Sequence, residues 1–564
     1  MKRFTSIILV GLLIGASLLT GCGGNDMAVS QEGEVKAEAS SDTKSKSIVY
    51  GLWSSPTGVF NPILYDEEYD AAVIELVYSK LFKLDGNLDL VPSLAKSYSV
   101  SEDNMTLTFQ LRDDVKWHDG EAFTGEDVVF TFKSMAHPDY TGPRFGEVEK
   151  IVGAKEYHDG VADDVEGIKL VDEFTVSIQF KEVFAPGLVR LGADRGIVPE
   201  HIWSKIPVKQ WKESATELNN PIGTGAYKIN EFVPGQYVKL EAFEDFFEGK
   251  AKTDTFIFKV ANQDTAMAEL VNGDIDIADI SSLKAEDFEE LKSAGIKIAS
   301  YAGKSYQYMG FNLRQERFQD KKLKQAIFYA IDRGTIVDKL MNGNGIVLNA
   351  PLVPTGWAYP EDGLNTYEFN PDKAKDLLKE AGYEDKDGDG YVEDSKGEKL
   401  SFVLKYPIGN KTREKSAPVI QKYLKDVGIE IELRNMEFGA LLDEVMSNHD
   451  FDLYLLGSSL SLDPDPKPIW HSDAASDEIG NAAWNIVGFR NEEADKYIMN
   501  GLGVLDTKVR AENYKEFCKI VNEEAPQVYL YAPSVVKAYN PNLKNFSPAT
   551  YLDYYDFEEW VIEQ

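Results

Sequence analysis

Five residues within a stretch of nine carry oxygen at the alternating spacing used by calcium loops. In DKDGDGYVE (385–393), Asp385, Asp387, Asp389, Tyr391 (through its carbonyl) and Glu393 fall at loop positions 1, 3, 5, 7 and 9, with Gly390 at the turn position. Position 12 is Lys396 instead of the bidentate Glu of an EF-hand, and no helix clearly follows. Acidic turns of this form also hold themselves by side-chain to backbone hydrogen bonds, so two readings stand: a structural Ca2+, or a turn without one. Other chemistry finds little support. The six histidines (118, 137, 158, 201, 449 and 471) are scattered and form no HExxH, so no dedicated metal site is expected from them. There is no G-x-S-x-G elbow for a hydrolase nucleophile. Gly223-Thr224-Gly225 lacks the Lys-Ser/Thr of a phosphate loop and reads as a tight turn. The mixture Trp117, His118, Asp119, Glu126 and Asp127 is accounted for by a turn at Asp119-Gly120, then Thr124 capping a helix with Asp127 three residues on. With 94 acidic residues, a glycosidase-like carboxylate pair carries no specificity. No cofactor is required by any of these motifs.

The amino-terminal residues carry a different chemistry. Lys2 and Arg3 precede an apolar run over 7–19, too short to span a bilayer, as in a secretory signal. The run ends in Leu19-Thr20-Gly21-Cys22, which resembles the lipobox of bacterial lipoproteins. That resemblance implies removal of 1–21, a diacylglycerol on Cys22 and a lipid anchor on the outer face of the cytoplasmic membrane, in a single-membrane bacterium. Residues 22–45 contain no aromatic side chain and read as a flexible tether. If Cys22 is lipidated, Cys518 has no disulfide partner, and its neighbours Tyr514, Phe517, Ile520 and Val521 place it on or beside a buried helical stripe. The formal charge of -35 becomes about -37 once Lys2 and Arg3 are removed, a balance that repels nucleic acid.

The elements that must position any site alternate. Strands are predicted at 106–111, 174–180, 255–260, 306–313, 401–406, 429–433 and 451–456, and helices at 265–272, 321–341, 371–381, 412–427 and 437–447. Such alternation predicts mixed sheets covered by helices, an α/β architecture. The segment GSSLSLDPDPKPIW (457–470) follows the strand FDLYLL and so leaves a strand end, where α/β clefts form.

Several blocks, read in order, carry a resemblance: VPSLAKSYSV (91–100), LTFQLRDDVKWHDG (107–120), PIGTGAYKINEFVPGQYVKL (221–240), NGDIDIA (272–278), the stretch 311–340, LDPDPKPIWHS (462–472) and EEAPQVYLYAP (523–533). Together the chain resembles the extracellular solute-binding protein family 5 of ABC importers. The resemblance implies a two-lobed periplasmic-binding-protein-like fold (type II, cluster C) with an extra inserted domain. It implies lobe I at 46–80, 203–309 and 526–564, the insert at 81–202, and lobe II at 310–525. It implies a monomeric receptor, not an enzyme, that captures oligopeptides and delivers them to an ABC permease. A receptor for chelated nickel or an oligosaccharide, or an anchored hydrolase, are the rival readings. In peptide receptors of this kind an acid shortly before the (D/E)-P dipeptide meets the peptide amine. Here Asp463-Pro464 supplies the dipeptide, but 459–462 are Ser, Leu, Ser and Leu, which leaves Asp463 or Asp465 to substitute. Gly457, Ser458 and Ser459 line the same segment. Positional analogy adds Asp66, Glu67, Ser281, Ser282, Tyr308 and Phe438 as cleft candidates.

Overall fold

A computed structural model describes residues 47–262 and 265–563. The signal segment, Cys22 and the tether therefore lie outside the described residues. Most predicted strands form within a residue or two of their expected limits, among them Thr106–Leu111, Thr255–Val260 and Ser401–Pro407, whereas those expected at 429–433 and 451–456 run three residues further, as Glu430–Met436 and Leu453–Ser459. The helix expected over 321–341 is instead two helices, Lys321–Ala330 and Arg333–Leu340. The break has a local cause. Ile331 takes extended backbone, and Asp332 starts a new helix by accepting hydrogen bonds from the Thr335 amide and hydroxyl at 2.9 and 2.8 Å. The apolar stripe runs through the break because both helices pack on the same core, so periodicity alone did not reveal it.

Twelve strands form one continuous mixed sheet. Its strand Gln527–Tyr539 is long enough to serve both ends. Residues 527–531 pair with the strand Ser305–Phe311, whereas residues 534–539 pair with Lys297–Ala302. The chain crosses a second time at 303–304, where the Gly303 amide donates to Pro533 O at 2.9 Å. A Cβ at Gly303 would lie 2.7 Å from that same carbonyl, so the two crossovers can run this close only with glycine there. Separate cores form on either side. One, drawn from residues 306–532, includes Phe311, Ile327, Leu404, Tyr454 and Phe517. On the other side, Ile48, Val73, Leu240, Phe258 and Trp560 pack together, with a satellite cluster around Ile275 and Leu291.

A third core belongs to the segment between the first helix and the return to the large sheet. It contains Leu81, Phe109, Trp117, Phe132 and Ile178, and continues past residue 202 through Trp203, Trp211 and Leu218. Its four-stranded antiparallel sheet is separate from the large one. The helix Gly125–Met135 opens with the expected capping box: the Thr124 amide donates to Asp127 at 2.9 Å, and the Glu126 amide donates to the Thr124 hydroxyl at 3.2 Å. His118 joins this segment to the turn 223–225. Its Nδ1 accepts from the Gly223 amide at 3.2 Å and its Nε2 faces Gly225 O at 2.9 Å, which fixes a neutral ring. Burial pushes its pKa down to about 4, consistent with that structural task.

Candidate functional site

The parallel strands Ser401–Pro407 and Leu453–Ser459 share only two register pairs, Leu404 with Leu453 and Lys405 with Tyr454, before they part. Beyond that point Leu453–Ser459 continues to pair on its other side with Ser305–Phe311, Gln307 opposite Gly457 and Tyr306 opposite Ser458. The edge of 455–459 that faces the first strand is therefore outside the ladder. Its backbone groups border a crevice at the carboxyl ends of two diverging parallel strands, the position at which open α/β sheets hold ligands.

Arg413 stands in this crevice. It lies in the first turn of the helix Lys411–Asp426, where Asn410 caps by accepting from the Arg413 amide at 3.0 Å. Its Nε donates to Gln307 Oε1 at 2.8 Å. A Cβ on Gly457 would fall 2.7 Å from Arg413 Nη2 and 2.5 Å from Gln307 Nε2, so glycine here lets the guanidinium approach the strand. Among the described residues Arg413 has no carboxylate partner. Burial lowers its pKa, opposed only by the nearby hydroxyls of Tyr531 and Tyr308. A partly buried guanidinium beside an open strand edge presents planar donors to an anion. In the sequence Arg413 is one basic residue in a first helical turn, with nothing to mark it until the lack of a carboxylate partner among the described residues is visible.

The expected site residues divide. Gly457, Ser458 and Ser459 border the crevice. Phe438 begins the helix Phe438–Leu442 with 47% of its surface exposed, free to meet an apolar group. Tyr308 is only 6% exposed. It packs edge-on against Tyr454, 5.7 Å between ring centroids, so it underlies the site more than it lines it. Ser281 is engaged in the fold: its hydroxyl accepts from the Val536 amide at 2.8 Å, and Ser282 beside it is exposed. Asp66 and Glu67 are exposed before the first helix, with Asp66 3.7 Å from Lys212.

The two aspartates expected to meet an amine are occupied otherwise. Asp463 is buried, and both its oxygens accept from Arg510, at 2.7 and 2.8 Å. Arg510 also donates to Gly501 O and the Tyr514 hydroxyl, which makes the pair part of the core of its own half. With Asp463 only 4% exposed and both of its oxygens engaged by Arg510, its observed task is structural, and an amine would have to compete with a buried bidentate guanidinium. Asp465 accepts from the Lys467 amide at 2.9 Å and from Arg190 Nη2 at 3.2 Å. Burial raises its pKa. Arg190 belongs to the helix Gly187–Gly192 of the separate small-sheet segment, so this bond spans the cleft. Two more hydrogen bonds cross nearby, Tyr551 hydroxyl to Ser461 O at 3.0 Å and Ala185 amide to Leu502 O at 3.3 Å. Beside the Tyr551–Ser461 bond a cavity of about 20 Å3, lined by Leu352, Trp357, Leu460, Leu462 and Tyr551, admits no more than a single water.

Two halves built on one sheet and facing each other across a strand-end crevice define a solute-binding fold. The family described as bacterial extracellular solute-binding proteins, family 5 (middle region), matches residues 89–480. The oligopeptide-binding protein AppA of Bacillus subtilis is 32% identical over 565 residues, covering 99% of each chain. The structure of AppA in complex with a nonapeptide superposes with a TM-score of 0.70 over 92% of this chain and 100% of that one, at 32% identity. NikZ from Campylobacter jejuni in complex with Ni(L-His) gives 0.71 over 91% and 99%, at 27% identity. The chain belongs to the family 5 bacterial extracellular solute-binding proteins. The family is one of extracellular solute-binding proteins, and no helix among the described residues is long and apolar enough to cross a membrane.

Proposed function

We propose that this chain captures peptides between its two halves and delivers them to the permease of an ABC importer. The observation that carries this reading is Arg413, a cation with no carboxylate partner among the described residues, beside the open edge 455–459. An extended peptide can lay its backbone along that edge, as in strand addition, and place a terminal or side-chain carboxylate on the guanidinium. Similarity to AppA, whose structure holds a nonapeptide, supports the same substrate class. Phe438 supplies an apolar contact at the crevice mouth, and Asp465 acts at the closing face. The lipid anchor at Cys22 keeps the trap near its membrane partner on the outside of the cell. The chain works as a monomer whose halves divide at the crossovers 303–304 and 533–534, a few residues before the expected limit at 309 and after that at 526, while the core of the inserted segment extends past 202 to Leu218.

Calorimetric titration of the purified chain with peptide pools, free or carboxy-amidated, tests the reading. Removing one charge-assisted hydrogen bond costs about 1.5 to 3 kcal/mol, so Arg413→Met is expected to weaken peptides with a free carboxylate by about 10- to 100-fold. Amidated peptides should lose little. Absence of any peptide binding, with retention of a nickel–histidine chelate of the kind NikZ holds, would replace the peptide reading with that of a chelate receptor.

A further inference from the structure

We propose that the loop 385–393 is a calcium site that braces one half of the molecule, independent of ligand capture. Asp385, Asp387, Asp389 and Glu393 each offer a carboxylate oxygen, and these oxygens lie within 4.8 Å of one another. Oxygens bound to one Ca2+ at about 2.4 Å can be at most about 4.8 Å apart, so the four already satisfy the distance condition for a shared ion. The second observation is Glu393 itself. The three aspartates are exposed, but Glu393 is 4% exposed. Its Oε2 accepts from the Lys386 amide at 2.8 Å, whereas its Oε1 is buried and has no hydrogen-bond partner among the described residues. A buried carboxylate oxygen without a partner is costly unless a cation meets it.

The loop is shaped to present these groups. Asp385 accepts from the Gly388 and Gly390 amides at 2.7 and 3.1 Å, and Asp389 accepts from the Tyr391 amide at 3.0 Å. Gly388 and Gly390 have φ of 82° and 89°, which a residue with a Cβ adopts only at a cost. The far end is fixed to the core: the Val392 amide donates to Gly428 O and its carbonyl accepts from the Leu400 amide, both at 2.9 Å. Lys399 Nζ contacts the Asp389 carboxylate, a monovalent cation in the position a divalent one would contest. With the Tyr391 carbonyl and water completing the shell, an all-oxygen site of this size suits Ca2+ and not Mg2+, which demands a tighter octahedron.

Thermal unfolding and calorimetric Ca2+ titration of the purified chain, stripped with a chelator, test the site. The wild type should bind one Ca2+ with a midpoint in the range of extracellular modules, about 0.1 to 1 mM, and Mg2+ should not replace it. Its Tm should rise by several degrees at saturating Ca2+. Glu393→Gln should abolish the shift while raising the Tm in chelator, because the uncompensated buried charge is gone. Asp387→Asn, at an exposed position, should weaken Ca2+ at least 10-fold even if Glu393→Gln fails to fold. Lys399→Met should tighten Ca2+ several-fold, an effect that a self-sufficient acidic turn would not produce. No saturable Ca2+ binding up to 10 mM (about tenfold beyond the weakest extracellular modules), an equal response to Mg2+, or equal Ca2+ affinity in wild type and Asp387→Asn would each overturn the proposal.

Discussion

Replacing Asp463 by Asn separates two roles that the same residue could have had. In the structure its carboxylate and the Arg510 guanidinium are 3% and 5% exposed and face each other through two bonds of 2.7 and 2.8 Å. Asn keeps the volume but removes the charge, leaving Arg510 with the Gly501 carbonyl and the Tyr514 hydroxyl. Removing one member of a buried ion pair typically costs about 3 to 5 kcal/mol, because the other charge stays buried. For a unit of this size, with a urea dependence of about 2 to 3 kcal/mol/M, the unfolding midpoint of this half should fall by about 1 to 2.5 M. Urea unfolding followed by the fluorescence of Trp357 and Trp470, both in this core, reads it. Asp463→Leu combined with Arg510→Met should recover most of the loss, since apolar replacement of a whole buried pair is often neutral. Peptide affinity, measured where the variant is folded, should be equally affected for free and N-acetylated peptides. A stable Asp463→Asn variant that loses affinity only for free amino termini would refute this account and restore an amine-binding role.

Other predictions rest on other contacts. Burial pushes the Asp194 carboxyl up to about 6. The folded state therefore holds that proton to higher pH than the unfolded chain, so its contribution to stability is fully present below the ordinary Asp value of about 3.9 and is lost as pH rises through about 6. Asp194→Asn should flatten this part of the stability profile and stabilise the protein at pH 7 by about 1 to 3 kcal/mol, read by urea unfolding across pH. Arg190→Ala removes the bond to Asp465 across the cleft. Its unliganded radius of gyration by X-ray scattering should exceed that of the wild type, and an unchanged value would show that the contact does not hold the halves together. His118→Gln should destabilise the small-sheet segment at neutral pH by about 1 to 3 kcal/mol, because the Gly223 amide and the Gly225 carbonyl lose an aligned partner. Thermal unfolding at pH 7 checks this, and a shift within error would remove the ring from that structural role.

What the sequence made legible was local. Thr124 and Asp127 announce a helix start because the cap and its reciprocal acid are three residues apart, and the strands Thr106–Leu111 and Thr255–Val260 alternate apolar and polar side chains. Asp332 could be read either as an exposed polar residue within a helix or as a cap, and only the backbone decides. The strand Gln527–Tyr539 is less visible, since Pro533 and Ser534 interrupt its apolar pattern where it passes from one half to the other. The site was legible as a place, the strand end at 457–459, but not as a set of side chains. Asp463 finds its partner 47 residues away, and Arg413 matters because no acid among the described residues reaches it, two facts that only tertiary packing creates.

If the halves close on a peptide as proposed, closure and capture are linked through the same few contacts. Among the described residues, hydrogen bonds from Arg190 to Asp465, Tyr551 to Ser461 and Ala185 to Leu502 join the facing surfaces, and Asn342 Nδ2 to Leu283 O at 3.4 Å adds a fourth between the halves. At about 0.5 to 1.5 kcal/mol net for each neutral bond and about 1.5 to 3 kcal/mol for the Arg190–Asp465 ion pair, they bring the closed arrangement only a few kcal/mol. Opening costs no core, because each half retains its own and only the crossovers at 303–304 and 533–534 need to turn. Two states so close in free energy are governed by whichever ligand contacts exist in one alone. A carboxylate on Arg413, touching the half built from 306–532, binds in both states, whereas a group that also meets the Arg190 and Tyr551 side is bound only on closure. To carry the population from 1:99 to 99:1, those closure-specific contacts must supply about 5.5 kcal/mol. Short ligands that reach Arg413 alone should therefore bind without compacting the molecule, and longer ones should bind and compact it. Scattering with peptides of increasing length reads the difference, and compaction by the shortest carboxylate ligand would show that closure is driven from the Arg413 side alone.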